Sequence, residues 1–276
     1  MPSKRIVFVS GLPRSGSTLL CQLLAQHPEI YSTAHSSPLC QTLDGLRRRL
    51  SDDPFLLSQL DVDFERVYAR LTNAFRGFVD GWFAETDKQW VVDKNRGWLG
   101  MLETVQHLVP SFRMLVCVRE LTQLYGSIES RHQETILLDF PDHLADRSRY
   151  GRADALFAPN GVIGRPLRAL QSVQDLDAEI QNRLFYVVFE DLVREPQRVL
   201  REVLTWLGLA PAEIDTTQLK LQPVESDSYY RFKYPHRVRA SIEPPVEHRV
   251  SERIVGEIRK HYRWYYQTFY PGLLEG

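Results

Sequence analysis

The chain has 276 residues, 43% of them hydrophobic and 25% charged, with a net charge of −1. That length fits one α/β domain with insertions, and that composition supplies a core while excluding disordered, collagenous and coiled-coil chains. The near-neutral balance excludes nonspecific nucleic-acid binding as the main activity; no apolar run reaches the roughly 18 residues of a membrane span and no secretory leader is legible, so a soluble cytoplasmic protein is expected.

Taken in chain order, residues 5–10 (RIVFVS) are a β-branched apolar run that predicts a buried strand, and residues 11–16 form a turn-rich loop. Residues 17–26 read as a helix with Leu19, Leu20, Leu23 and Leu24 on one face. A short strand near 30–34 and a helix over 37–50 follow. Helical apolar spacing runs over 64–83 through Val67, Leu71, Phe75, Phe78, Val79 and Trp82. A short strand over 90–92 ends at Asp93 and Lys94, and a helix covers 98–108. Residues 112–118 (FRMLVCV) predict a strand and 121–133 a helix. Residues 140–166, rich in Asp, Arg, Gly and Pro, read as a long loop or inserted flap. Beyond them a helix is expected over 167–182, a strand over 184–189, a helix over 196–207 with Pro at its first turn, irregular chain over 209–245 and a long helix over 250–269. Strand-helix alternation of this kind predicts a central parallel sheet with helices on both faces, in a single domain.

Three cysteines, Cys21, Cys40 and Cys117, sit among apolar neighbours without a CxxC or His/Cys cluster, which predicts buried thiols and no metal site. Of the 34 basic residues 28 are Arg, the side chain that grips phosphate or sulfate through two parallel hydrogen bonds. Residues 1–20 and 228–239 carry basic side chains and no acid, so a small anionic ligand is expected.

The first anion site is the strand-helix junction Gly11-Leu12-Pro13-Arg14-Ser15-Gly16-Ser17-Thr18. A helix N-terminus offers free N–H groups and a positive dipole, the glycines permit close approach, and Arg14, Ser15, Ser17 and Thr18 add charge and hydroxyl donors. The loop departs from a Walker A sequence: Ser17 follows Gly16 where that pattern has Lys, so a Mg²⁺-dependent kinase loses its usual parts. Instead, the run RSGSTLLCQLLAQHP from Arg14 to Pro28 resembles the 5′-phosphosulfate loop of sulfotransferases that use 3′-phosphoadenosine 5′-phosphosulfate (PAPS), in particular protein-tyrosine and bacterial sulfotransferases. The block Val116-Cys117-Val118-Arg119, with Ser127 and Arg131 beyond it, is similar to the family's 3′-phosphate site. Independently of that likeness, Arg119 would project from a strand end, and Ser127 and Arg131 share one helical face at i and i+4. A weaker likeness is Phe189-Glu190-Asp191-Leu192 with Pro196, read as structural.

The resemblance implies a sulfotransferase-type P-loop-like fold, PAPS as sulfuryl donor, no metal, and a small-molecule or peptide acceptor of unspecified class. It implies that Arg14 and residues Ser15, Gly16, Ser17 and Thr18 hold the 5′-phosphosulfate, and that Arg119, Ser127 and Arg131 hold the 3′-phosphate. Lys94 falls where the protein-tyrosine enzymes carry a strand-end Lys, and His35 stands at the position of their catalytic Glu. The soluble enzymes place a His two residues after that Lys, where this chain has Arg96. Imidazole can take over a carboxylate's proton abstraction, so His35 is the expected base and Lys94 and Arg14 the expected charge stabilisers. Residues 228–239 (SYYRFKYPHRVR) resemble the late loop over the 3′-phosphate and adenine, although its GxxGxxK form is absent; Arg231 and Lys233 are its candidate phosphate contacts. A small-metabolite kinase and a nucleotide-binding relative without turnover are the competing expectations.

Overall fold

Apolar runs bounded by turns build an all-parallel sheet of β1 (Arg5–Gly11), β2 (Ile30–Tyr31), β3 (Trp90–Lys94), β4 (Arg113–Val118) and β5 (Leu184–Val188), in the order β2-β3-β1-β4-β5. The structure, a computed structural model, describes residues 4–135, 144, 146–223, 225–226, 235–236 and 240–274. β1, β3 and β4 are covered on both faces, which is why their sequences are continuously apolar rather than alternating. Val7 and Val9 meet α1 (Ser17–Leu24) and α11 (Pro196–Leu207), through Leu20, Leu23, Leu24, Val199, Leu200, Val203 and Leu204. Ile6 and Phe8 face the larger layer. It is built from α2 (Leu39–Ser51), α4 (Phe64–Trp82), α5 (Leu102–Leu108), α6 (Leu121–Thr135), α8 (Gly164–Ser172), α12 (Glu252–His261) and α13 (Arg263–Phe269). Cys21, Cys40 and Cys117 are free and buried, as expected.

Several elements differ from the sequence reading. α3 (Pro54–Val62) was not signalled by periodicity because none of its residues is buried; Asp53 caps it by accepting from Leu56 N at 2.8 Å, with Pro54 in the first turn. The loop or flap expected over 140–166 is instead helical at α7 (Arg149–Phe157), and its end belongs to α8. Residues 140–143 and 145 lie outside the described residues. α7 is fixed from a distance: Arg152 Nε donates to Glu129 Oε2 of α6 at 2.8 Å, and Glu129 is buried. The helix expected over 167–182 breaks into α8 and α9 (Ala178–Gln181). The terminal helix breaks at Tyr262 into α12 and α13, and Tyr265 and Tyr266 of α13 are both buried.

Among the described residues no helix is long and apolar enough to cross a membrane, and no group of three His, Cys, Asp or Glu side chains is placed to hold a metal ion.

Candidate functional site

Ligands of open parallel sheets sit beyond the carboxyl ends of the strands. At that edge β1 is flanked by β3 and β4, so three chain segments converge. Lys94 lies in register beside Val9, and Arg119 follows two residues after Cys117, which lies beside Gly11. The β1 loop turns sharply because Gly11 (φ +121°) passes so close to β4 that a Cβ there would lie 2.1 Å from Cys117 O, and Leu12 N donates to that oxygen at 2.9 Å.

Arg14 sits in the left-handed region at φ 57°, unusual for a residue with a side chain. It is held there from β4, since Arg119 Nη1 donates to Arg14 O at 2.9 Å. Gly16 (φ +82°) starts α1 with no side-chain cap, which leaves the first N–H groups of the helix available to an anion. Ser15 is buried and its hydroxyl donates to Leu12 O at 2.6 Å, so this residue can serve an anion through its backbone N–H rather than its hydroxyl.

The side chains of β3 alternate. Lys94 is buried on the α1 side, where Nζ donates to Thr18 Oγ1 at 2.8 Å. Asp93 turns to the other face, accepting from Trp98 Nε1 at 2.7 Å. Burial pushes its carboxyl up to about 6, against the opposing hydrogen bonds from Ser37 and Trp98. Because the folded value lies above the unfolded one, the stability this group contributes is complete below about pH 4 and is lost as pH rises through 6. Relative to Asp93→Asn, the wild type should therefore lose about 2 kcal/mol between pH 4 and pH 7.5 in urea denaturation. Parallel pH dependences in the two proteins would remove this assignment.

His35 is exposed and lies between the left-handed Ala34 (φ 58°) and Ser36, which bridges Lys94; Ser37 N donates to Lys94 O at 2.9 Å. The segment carrying His35 is thus stitched to the segment carrying Lys94. Arg96 contributes its carbonyl to Ser10 Oγ at 3.1 Å.

The second anion block joins the first directly. Arg14 Nε donates to Ser127 Oγ of α6 at 3.4 Å, so Arg14, Arg119 and Ser127 form one cluster. Arg131, one turn beyond Ser127, is paired with Glu134 at 2.5 Å. Arg119 is only 6% exposed, stacks over the Phe189 ring at 4.4 Å, and its Nε is buried without a hydrogen-bond partner. Burial pulls this guanidinium below its ordinary value; Glu190 opposes the shift and Arg14 adds to it. A buried cation with an unused donor is what an incoming anion would satisfy. Arg231 and Lys233 lie outside the described residues.

Two sets of contributing residues carried no local signal. The first is the tyrosine cluster of the chain's end. Tyr265 OH donates to Arg119 O at 2.8 Å and accepts from Arg119 N at 3.2 Å; Tyr266 OH donates to Glu120 Oε1 at 2.6 Å, and Tyr270 OH to Glu190 Oε2 at 2.7 Å. These bonds fix the ends of β4 and β5 from 80 to 146 residues away. The second is His248, whose backbone is bound to Gln123 of α6.

A cavity of about 1110 Å³ opens between α1, α11 and residues 211–221. None of the anion-cluster side chains lines it, and its cations Lys88, Arg201 and Lys220 are offset by Glu213 and Asp215, so size does not make it the anion site.

A parallel sheet flanked by helices, with an uncapped, glycine-bounded strand-loop-helix and Arg119 beside it, defines an α/β protein of P-loop-like architecture. The chain belongs to the Sulfotransferase family, whose model matches residues 7–213. It is 27% identical over 229 residues to nodulation protein NoeE of Sinorhizobium fredii, covering 77% of this chain and 52% of that protein, so it spans about half the length of this relative. Among solved structures, sulfotransferase STF9 from Mycobacterium avium superposes with a TM-score of 0.53 at 16% identity, over 98% of this chain and 78% of that one. Retinol dehydratase in a complex with retinol and PAP gives a TM-score of 0.50 at 13% identity, over 95% and 82%. At these identities the likeness is one of fold.

Proposed function

We propose that this sulfotransferase moves a sulfuryl group from PAPS to an acceptor hydroxyl, with an amine as the second acceptor class. The observation that carries the reading is the buried, incompletely bonded Arg119 clustered with Arg14 and Ser127 beside an uncapped helix start. The PAP bound to the retinol dehydratase supports the same ligand class.

In this reading the N–H groups at the start of α1, with Arg14 and the hydroxyls of Ser17 and Thr18, hold the 5′-phosphosulfate. Arg119, Ser127 and Arg131 hold the 3′-phosphate. His35 takes the acceptor's proton as the acceptor oxygen bonds to sulfur; the bond from sulfur to the phosphate oxygen breaks, and its electron pair stays on the phosphate. In the same reading Lys94, whose Nζ donates to Thr18 Oγ1, meets that growing charge. By analogy with phosphoryl transfer, the loose in-line geometry makes catalysis mostly positioning and charge stabilisation.

Incubation with radiolabelled PAPS and a chemically varied set of hydroxyl and amine acceptors tests the reaction; label retained entirely in the donor across the set argues for a relative without turnover. Arg119→Ala should weaken adenosine 3′,5′-bisphosphate by roughly ten- to a hundredfold, the cost of one charge-assisted contact, and adenosine 5′-phosphate by less, since only the tie to Arg14 O is lost there. An unaltered preference for the 3′-phosphorylated nucleotide would take Arg119 out of that site.

A further inference from the structure

We infer that His248 is an additional ligand of the nucleotide's 3′-phosphate, and that occupation of the site by that phosphate loads a proton from solvent onto its imidazole. The inference rests on the nucleotide reading above and extends it by one residue and one proton.

His248 N donates to Gln123 Oε1 at 2.8 Å and Gln123 Nε2 donates back to His248 O at 3.2 Å, a two-point attachment to α6. Gly126 makes the close approach possible: a Cβ there would lie 2.4 Å from His248 Cβ and 3.2 Å from Val250 Cγ2. Gln123, Ser127 and Arg131 recur at i, i+4 and i+8, so the attachment delivers His248 to the helical face that carries the candidate phosphate ligands.

The surroundings give the imidazole its chemistry. Three guanidinium groups act on it, Arg119 from the end of β4, Arg131 from α6 and Arg14 from the β1 loop, while Glu134 of α6 acts in the opposite sense. Its sequence neighbours Glu247 and Arg249 add one charge of each sign. Burial first, then the three arginines, holds the ring below the ordinary histidine range, so in the empty site it is neutral near pH 7. A phosphate carrying close to two negative charges reverses that balance and favours the imidazolium, which then donates to a phosphate oxygen. Affinity therefore gains from His248 as pH falls below the value of the occupied ring, and the gain disappears above it. The phosphate's own titration is common to wild type and variant, so their difference isolates the histidine.

The test is calorimetry of adenosine 3′,5′-bisphosphate with wild type and His248→Gln, in buffers of different ionisation enthalpy at pH 7 and across pH 6 to 8.5. The wild type should take up more protons on binding than the variant. The wild-type affinity advantage should be about tenfold at the acid end and vanish at the alkaline end. Adenosine 5′-phosphate should show neither difference. As a readout independent of the variant's fold, the His248 imidazole resonance of the wild type should titrate at higher pH with bisphosphate bound than without. Equal proton uptake, a constant affinity ratio and an unmoved imidazole titration would overturn the role of His248 while leaving bisphosphate binding intact. Failure of both proteins to bind bisphosphate would overturn this inference together with the nucleotide reading.

Discussion

His35→Ala should lower turnover by on the order of 10² to 10⁴ while leaving bisphosphate affinity nearly unchanged, because only proton transfer in the transition state is removed. The structure makes this a clean substitution. His35 is exposed, so its loss opens no cavity, and its position depends on backbone contacts that remain: Thr33 Oγ1 accepts from His35 N at 3.3 Å, and Ser37 N bonds Lys94 O. The acid limb of the pH-rate profile should vanish with the ring, since imidazole must be neutral to accept a proton. His35→Glu should retain more activity than His35→Ala, because a carboxylate can do the same work. Normal turnover with an unchanged acid limb in His35→Ala would remove His35 from the mechanism.

Lys94→Met should cost on the order of 10² to 10³ in turnover, the scale of deleting one preorganised charge donor from the transition state. Met matches the buried aliphatic stem of Lys94, so packing against α1 survives while the bond to Thr18 Oγ1 is lost. The loss should be similar at every pH, because a charge is removed rather than a titrating base; this separates Lys94 from His35. If rate is unaffected and only stability changes, Lys94 is a structural tie between β3 and α1.

What the sequence revealed and what it hid follow from the range of the interactions. The β1 loop and α1 were legible because Gly11, Gly16 and the leucine face act within a few residues. The nearness of Arg119 to the helix that carries Ser127 was legible because strand end and helix are adjacent in the chain, whereas the pairing of Arg131 with Glu134 was not read. The direction of Asp93 away from Lys94 was implicit in strand alternation. By contrast, α7 depends on Arg152 reaching Glu129, and the backbone of Arg119 depends on Tyr265, a bond across 146 residues. His248 lies against α6 only because Gln123 and Gly126 receive it, and no spacing rule connects residues 125 positions apart.

The central claim is that the joined arginine sites hold a nucleotide phosphorylated at both ends of its ribose. Calorimetric titration of the wild-type protein with adenosine 3′,5′-bisphosphate, set against ATP with Mg²⁺, tests it most directly. Tight binding of the bisphosphate that exceeds that of ATP with Mg²⁺, and that Arg119→Ala weakens, is the predicted result. Binding of ATP with Mg²⁺ and none of the bisphosphate would contradict the account.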